Sequence, residues 1–249
     1  MDRLLEATAR AERDHFWFRG FRRFVTPLLD RAADGRGDLR ALDCGCGTGH
    51  NLALLRRYGT AFGIDITWSG LRYAASQGER HVARASAASL PFTGGAFDLV
   101  TSFDVIYSLP DEIEGAVVGE MFRVLEPGGH LVLNAAALDA LKGNHSVLSS
   151  EVRRYSKASL TRLLERAGFR ILWMSYTNAT ILPMLLGVRL VQRISGHEES
   201  PLEITVPAAP VNLALSGLLA LEAAALRFVP MPAGSSLLCL AQKPATGPS

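Results

Sequence analysis

Ten consecutive residues carry the strongest signal in this chain: Leu42-Asp43-Cys44-Gly45-Cys46-Gly47-Thr48-Gly49-His50-Asn51. The run opens on residues that suit a buried strand, and three glycines follow at alternate positions. Glycines at this spacing let the backbone turn tightly and lie close to a ligand. The free N–H groups of a following helix would point at the same ligand. The run therefore predicts a strand, loop and helix that bind a nucleotide-like molecule, with a purely structural turn as the alternative.

Two familiar glycine motifs do not fit this run. The dinucleotide fingerprint needs a glycine at its sixth position, where His50 stands, and the phosphate loop needs Gly-Lys-Ser/Thr. Asp65, about twenty residues further on, ends a second strand and is placed to accept hydrogen bonds from both ribose hydroxyls of a nucleoside. Its alternative role is to cap the next helix, but Ser69 is the residue that we predict at that cap.

Strands and helices alternate along most of the chain. This alternation predicts an α/β fold, a doubly wound, mostly parallel, seven-stranded Rossmann-like sheet with a helical insertion before the last strand. We expect strands over 39–44, 61–66, 81–85, 97–103, 130–136, 169–176 and 235–242. We expect helices over 51–58, 69–77, 112–125 and 156–168, the third ended by Pro127-Gly128-Gly129 and the fourth capped by Ser156.

The chain divides into four predicted parts. A cofactor-binding core follows an amino-terminal cap, and roughly fifty residues that lie between the last two strands are too long for an ordinary connection. These parts are an N-terminal helical cap (1–36), the α/β core (37–178), an apolar helical insertion (179–234), and the last strand with its tail (235–249).

Composition excludes several classes of protein. The 26 basic and 24 acidic residues leave a net charge of +2, which argues against nucleic acid as a partner. Cys44, Cys46 and Cys239 form no disulfide framework, and too few suitably spaced ligands accompany them for a metal site. The charged Met-Asp-Arg start argues against a signal peptide, so we expect a cytoplasmic protein, with peripheral contact to a membrane left open.

Several further motifs accompany the glycine run in a fixed order. They are Asp65, then Leu90-Pro91-Phe92 with Phe97-Asp98-Leu99-Val100, and then Arg123-Val124-Leu125-Glu126-Pro127-Gly128-Gly129. In this order the segment from Leu39 to Phe169 resembles the class I S-adenosylmethionine-dependent methyltransferases, especially the small-molecule (type 11) branch related to quinone-biosynthesis enzymes. The resemblance implies S-adenosylmethionine as cofactor and S-adenosylhomocysteine as product.

The resemblance also implies roles for single residues. Asp43 and the loop Gly45, Cys46, Gly47 and Gly49 would hold the methionine and ribose portions of the cofactor. Asp65 would take the ribose hydroxyls, Ile66 would pack on the adenine, Ser86 and Ala87 would face the adenine edge, and Phe103 would line the methionine side.

The chain departs from the family pattern at two places. Members often carry aspartate where Ser86 stands, and a hydroxyl accepts a hydrogen bond from the adenine amino group more weakly. A familiar Glu-His pair after the fourth strand is replaced by Tyr107-Ser108. This replacement removes one candidate for a base and leaves the class of methyl acceptor open.

Three regions are candidates for binding the acceptor. Trp17 belongs to an aromatic N-terminal stretch whose rings could face the sulfonium, with core packing as the alternative. In the loop after the fifth strand, His145 is a candidate base, Tyr155 or Tyr107 could orient a hydroxyl, and Arg153 and Arg154 could hold an anionic group. A solvated loop whose arginines cap helices is the alternative.

The insertion 179–234 is the third region. Its two apolar helical patterns suit a lid over a lipid-like acceptor, a homodimer surface or a membrane-surface anchor. Val206–Phe228 is interrupted by polar residues and prolines, so we do not expect it to span a membrane.

The sequence thus predicts a methyltransferase (EC 2.1.1.-) that acts on oxygen or carbon of a small or lipid-like acceptor. The alternatives are a cofactor-binding, non-catalytic partner subunit and a nicotinamide-dependent oxidoreductase. Nucleic-acid methylation is disfavoured because no Asn-Pro-Pro-aromatic motif follows the fourth strand.

Overall fold

The computed structural model describes residues 11–141, 151–195 and 206–245. The strands are β1 (Leu39–Cys44), β2 (Gly59–Asp65), β3 (Val82–Arg84), β4 (Phe97–Phe103), β5 (Leu125–Ala136), β6 (Arg170–Thr177) and β7 (Ser236–Gln242). The helices are α1 (Phe16–Ala33), α2 (His50–Leu55), α3 (Trp68–Ser76), α4 (Asp111–Val124), α5 (Lys157–Arg166), α6 (Leu182–Ser195) and α7 (Ala209–Ala225), and short 3₁₀ turns lie at Ile106–Ser108 and Asp139–Leu141.

The strands form one sheet in the order β3-β2-β1-β4-β5-β7-β6. Strands β1 to β5 pair in parallel, whereas β7 runs antiparallel to both β5 and β6. The chain leaves β1 toward one edge of the sheet and later returns to β4 beside it. A crevice at the carboxyl ends of β1 and β4 is where such sheets bind ligands. The predicted doubly wound, mostly parallel seven-stranded fold is confirmed.

Alternate side chains of the central strands enter two apolar layers, one on each face of the sheet. Ala41 and Leu99 pack in the layer that contains α1, α2 and part of α7. Leu42 and Val100 pack in the opposite layer, under α4 and α5. These central strands are buried on both faces, since every residue of β4 and every residue of β1 except Arg40 is buried.

Several predicted element boundaries are wrong, and the structure shows the cause of two of them. Helix α3 begins at Trp68 with Thr67 as its N-cap residue, so Ser69 lies inside the helix, and the N–H of Thr67 donates to Oδ1 of Asp65 at 2.7 Å. Pro127-Gly128-Gly129 lies within β5, because the strand starts directly after α4 and pairs Leu125 with Phe97. Ser156 caps α5 as expected, with a reciprocal bond to Ser159.

The insertion between β6 and β7 contains α6 and α7. The buried carboxylate of Glu222 on α7 accepts hydrogen bonds from the backbone N–H groups of Ala179 and Thr180, at 3.0 and 2.9 Å, and so ties α7 to the start of α6. Because β6 runs parallel to β5, α6 emerges at the same edge of the sheet as the crevice. No helix in the three described ranges is long and apolar enough to cross a bilayer.

Candidate cofactor-binding cleft

The glycine loop connects the end of β1 to α2. Gly45, Gly47 and Gly49 have φ values of +87°, +51° and +80°, which are left-handed conformations that glycine adopts without a Cβ penalty. The N–H groups of Gly45 and Cys46 both donate to the carbonyl of Ile64 in β2, at 2.8 and 2.9 Å. The loop is therefore fixed to the neighbouring strand, and its shape is set before any ligand arrives.

The first two glycines of the loop meet different surroundings. A Cβ on Gly45 would lie 2.3 Å from Cγ2 of Val105, so this glycine is required by packing inside the protein. A Cβ on Gly47 would meet nothing within 4 Å, so this position faces open space. Gly47 is thus the point of the loop at which a ligand can approach the backbone.

Asp43 is the penultimate residue of β1, just before the loop, and is 1% exposed. Its Oδ1 accepts a hydrogen bond from Oγ1 of Thr101 at 2.7 Å, while its Oδ2 has no partner. Burial raises the pKa of the carboxyl group to about 7. A buried carboxylate oxygen without a partner is costly unless a ligand supplies one, and a primary ammonium group such as that of methionine has the matching charge and hydrogens.

Asp65 lies at the end of β2, next to β1, as expected. Its Oδ2 accepts from the N–H of Gly47 at 2.8 Å and its Oδ1 accepts from Thr67. The carboxylate therefore joins the glycine loop to the first turn of α3. The capping alternative is correct in part, because Asp65 holds the start of this helix while its side chain stays within the cleft region.

The side of the cleft that would receive adenine is open and apolar. Ile66 is 66% exposed and Trp68 is 58% exposed, although both are large apolar residues. Ser86 and Ala87 follow β3, and Oγ of Ser86 accepts from the N–H of Ala88 at 3.2 Å. An exposed apolar platform beside a hydroxyl is a suitable surface for a flat heteroaromatic ring, so the predicted adenine-side residues fit the cofactor.

Residues near the amino terminus close on the glycine loop. Oγ1 of Thr48 donates to the carboxylate of Glu12 at 2.9 Å, and Arg22 of α1 donates to Nε2 of His50 at 2.7 Å. Burial raises the pKa of Glu12 and lowers the pKa of His50. These contacts link the predicted N-terminal cap to the loop. Neither the composition nor the periodicity of the sequence predicts that Glu12 pairs with Thr48 or Arg22 with His50.

The aromatic stretch of α1 packs against the sheet near the end of β4. The rings of Phe21 and Phe103 meet edge to face at 5.0 Å, and Phe103 is buried. Trp17 is half-buried against the same apolar layer. The packing alternative for these rings is therefore present in the structure, and the proposed contact of Trp17 with the acceptor stays a prediction.

Asp104 is a candidate that the sequence reasoning missed. It follows the last residue of β4, has a left-handed φ of +60°, and accepts from the side-chain amide of Asn134 on β5 at 2.9 Å. The residue as a whole is exposed, but crowding of its carboxyl group by the surrounding protein raises the pKa of this group to about 6. The signal was an acidic residue directly after a central parallel strand.

The candidates of the later loop are only partly brought together. Val152 and Arg153 donate their N–H groups to the carbonyl of Tyr107, so this segment lies beside Tyr107, and burial raises the pKa of the Tyr107 phenol. The Tyr155 hydroxyl donates to Glu114. This engagement does not favour a catalytic role for Tyr155. His145 lies outside the described residues.

The two arginines of that segment have different partners. Arg153 pairs with Asp111 and Glu114, both in the first turn of α4, which matches the helix-capping alternative. Arg154 forms an ion pair with Glu151 and donates to the carbonyl of Ala137, just beyond β5. Both guanidinium groups are thus engaged within the protein, and Arg154 is the one nearer the carboxyl end of a central strand.

Comparisons with known proteins find a methyltransferase family model and several relatives that are similar to part of the chain. Residues 42–133 match a family model described as a methyltransferase domain. An uncharacterised protein of Haemophilus influenzae is 27% identical over 150 residues, which cover 53% of this chain and 59% of that protein. Demethylspheroidene O-methyltransferase of Rhodobacter capsulatus is 26% identical over 157 residues, which cover 56% of this chain and 38% of that enzyme. The chain spans about half the length of the curated relatives it matches.

A solved structure extends the likeness to almost the whole chain. It is a chain of the Haloferax volcanii complex that contains the Trm112 methyltransferase activator, and it superposes with a TM-score of 0.60. The two chains are 19% identical, and the match covers 96% of this chain and 94% of the other. At this identity the likeness establishes the fold alone.

Proposed function

We propose that the protein transfers a methyl group from S-adenosylmethionine to oxygen or carbon of a small or lipid-like acceptor, because residues 42–133 match a family model described as a methyltransferase domain. The observation that carries this proposal is the unpartnered Oδ2 of Asp43, buried below a preformed glycine loop whose Gly47 faces open space. These features supply an acceptor for an ammonium group and room for a ligand beside the backbone.

The chain offers a set of residues for each part of the cofactor. Asp43 and the loop from Gly45 to Gly49 would hold the methionine portion and the ribose, and Asp65 would accept from the ribose hydroxyls. Ile66 with Trp68 would cover one adenine face. When bound, S-adenosylmethionine supplies an activated methyl group on a positively charged sulfonium.

The protein's own contribution is alignment and the exclusion of water. Holding two reactants in line can be worth ~7–11 kcal/mol of the barrier. A preformed loop and an N-terminal segment fastened to it by Glu12 and Arg22 serve this purpose, because they fix one reactant and cover it. A general base adds ~10²–10⁴-fold only where the acceptor arrives protonated.

Asp104 is our first candidate for the general base. Its pKa of about 6 makes it largely ionised at neutral pH yet able to receive a proton, and Asn134 fixes its orientation. His145 and Tyr107 remain alternatives from the sequence. A base on this chain would suit a hydroxyl acceptor, which must lose its proton during transfer.

The apolar character of α6 supports a hydrophobic, lipid-like acceptor. This helix starts at the crevice edge, and Met184, Val188 and Val191, on one of its faces, are exposed to solvent. Demethylspheroidene O-methyltransferase is named for a methyl transfer to oxygen, which is the chemistry proposed for this chain. Transfer of a labelled methyl group from S-adenosylmethionine to phenols and to an extracted lipid fraction would test the acceptor class.

We expect the protein to bind S-adenosylmethionine and S-adenosylhomocysteine, but not NAD. The reason is the combination of an open Gly47, an ionisable Asp43 and a loop without the third glycine of the dinucleotide fingerprint. Isothermal titration calorimetry with the three ligands measures this directly. Binding of NAD alone would contradict the proposal and favour an oxidoreductase.

Binding of S-adenosylmethionine should strengthen as the pH rises from 6 to 7.5. The pKa of Asp43 is about 7 in the free protein, so the carboxyl group is mostly protonated at pH 6 and mostly ionised at pH 7.5. Only the ionised form attracts an ammonium group, which predicts a roughly eight-fold rise in affinity. Calorimetry at several pH values measures it.

Asp43→Asn is the matched variant for this experiment, because an amide can still accept from Thr101. It should bind more weakly and lose most of the pH dependence. Asp104→Asn controls for the other raised carboxyl group in the cleft. Equal pH dependence in the wild type and Asp43→Asn would show that Asp43 does not receive the ammonium group.

A further inference from the structure

One exposed side of helix α7 consists entirely of apolar residues and glycine. Leu213 and Leu221 are 69% and 70% exposed, Val211 and Leu218 are also exposed, and Phe228 in the following turn is 84% exposed. By helical spacing these residues lie on one side of α7, together with Pro210, Ala214, Gly217, Ala224 and Ala225. No charged or hydrogen-bonding side chain interrupts this side between residues 210 and 225, which we call the α7 face.

The apolar residues on the opposite side of α7 are buried against the rest of the protein. Leu219 and Ala223 are buried against α1, and Gly20 of α1 is required there, because a Cβ would lie 2.4 Å from Leu219. Asn212 caps α1 by accepting from the N–H of Phe16 at 2.8 Å. The helix is thus firmly seated, and its exposed face is a stable surface of the molecule.

A basic groove runs beside the α7 face. It has a volume of about 560 Å³, and its walls are α1 and α7. The charged residues that line it are Arg19, Arg22, Arg23, Arg227 and a single carboxylate, Asp30, which accepts from the Tyr58 hydroxyl at 2.7 Å.

The arginines of the groove are poorly neutralised. Arg23 donates to the carbonyl of Ser216 at 3.0 Å, which leaves its charge unpaired. The side chains of Arg19 and Arg227 make no ion pair with any residue in the described ranges. Arg19, Arg23 and Arg227 therefore place guanidinium charges that are unpaired among the described residues along the edge of an apolar face, and an anionic amphiphile matches both the charge and the apolar surface.

We propose that the α7 face and the arginine groove together dock the protein on the surface of an anionic membrane. The apolar side chains would enter the boundary between headgroups and acyl chains, and the arginines would meet the lipid phosphates. The described helices are too short or too polar to span a bilayer, so the contact is with one leaflet. This inference does not depend on methyl transfer.

Vesicle sedimentation tests the proposal with the full chain and no cofactor. Wild-type protein should bind vesicles of phosphatidylcholine with 30% phosphatidylglycerol at least 25-fold more tightly than pure phosphatidylcholine, because each of two engaged arginines should contribute about fivefold. The preference should weaken at high salt because exposed charges are screened. Equal binding to the two lipid mixtures, or none to either, would overturn it.

Two sets of variants separate the two parts of the surface. Arg19→Gln with Arg227→Gln should reduce binding to the anionic vesicles by about fivefold for each arginine. Leu221→Gln with Phe228→Ser should reduce binding while leaving the preference for anionic lipid. Both pairs change exposed residues, so thermal melting should stay unchanged.

Arg162→Gln with Arg166→Gln is the matched control, because these exposed arginines belong to α5 on the other face of the sheet. It should bind like the wild type. Equal losses in this control and in the groove variant would mean that only net charge matters. Light scattering tests the alternative that a second copy of the chain covers the α7 face. A dimer that Leu221→Gln dissociates, in a protein that does not bind vesicles, would identify this face as an interface between copies.

Discussion

Replacing Asp65 by alanine should lower the affinity for S-adenosylmethionine by roughly 10- to 150-fold. A charged acceptor of two hydroxyl groups contributes about 1.5–3 kcal/mol. The structure adds a second reason, because the same carboxylate holds the N–H groups of Gly47 and Thr67. Calorimetry with S-adenosylhomocysteine, which carries the same ribose, should show a loss of similar size.

Two variants control this experiment. Asp65→Asn keeps one accepting oxygen and should fall between the wild type and alanine. Asp38→Ala removes an exposed aspartate that pairs with Arg36 and should leave binding unchanged. An unchanged dissociation constant for Asp65→Ala, with a normal circular dichroism spectrum, would reduce Asp65 to a residue that only caps α3.

Alanine at Gly45 should destabilise the protein more than alanine at Gly47. Gly45→Ala combines a left-handed φ with a Cβ only 2.3 Å from Val105, so the free energy of unfolding should fall by about 2–5 kcal/mol. Gly47→Ala has the strained φ without the contact and should cost about 1–2 kcal/mol. Chemical denaturation measures both.

For cofactor affinity we expect the reverse order, with a larger loss in Gly47→Ala than in Gly45→Ala. The Cβ at position 47 would occupy the open side of the loop, and overlap with a ligand costs about 1–3 kcal/mol, or roughly 5- to 150-fold in affinity. Val105→Ala in the Gly45→Ala background should recover part of the stability by making room for the Cβ. Wild-type affinity in Gly47→Ala would mean that the cofactor does not lie beside this residue.

The strands and the glycine loop could be predicted because their causes are local. The bounds of β1 and β4 agree with prediction to the residue, since both are short, mostly apolar runs bounded by turn residues. Ser156 was recognisable as a cap because its bond partner is three residues away. Asp65 was found because a strand end at a known distance from a glycine loop is a recurrent position.

The missed features depend on contacts between distant parts of the chain. Glu12 meets Thr48 across 36 residues, and Asp104 is oriented by Asn134 across 30 residues. The start of α3 was misplaced because Thr67 and Ser69 are both suitable caps, and the choice is made by a carboxylate that also serves the glycine loop. The partners of Arg153 and Arg154 likewise follow from where α4 and β5 lie.

The reversed direction of β7 has a consequence for how this protein can diversify. Thr177 pairs with Ser236, and Nδ2 of Asn178 donates to Oγ of Ser235 at 3.1 Å, so both ends of the α6–α7 segment leave the sheet side by side. A segment with adjoining ends can change length at a small cost in loop-closure entropy. The α6–α7 segment could therefore be replaced as a unit in related chains. Such a replacement would change the acceptor or the surface that the protein binds and leave the glycine loop unchanged.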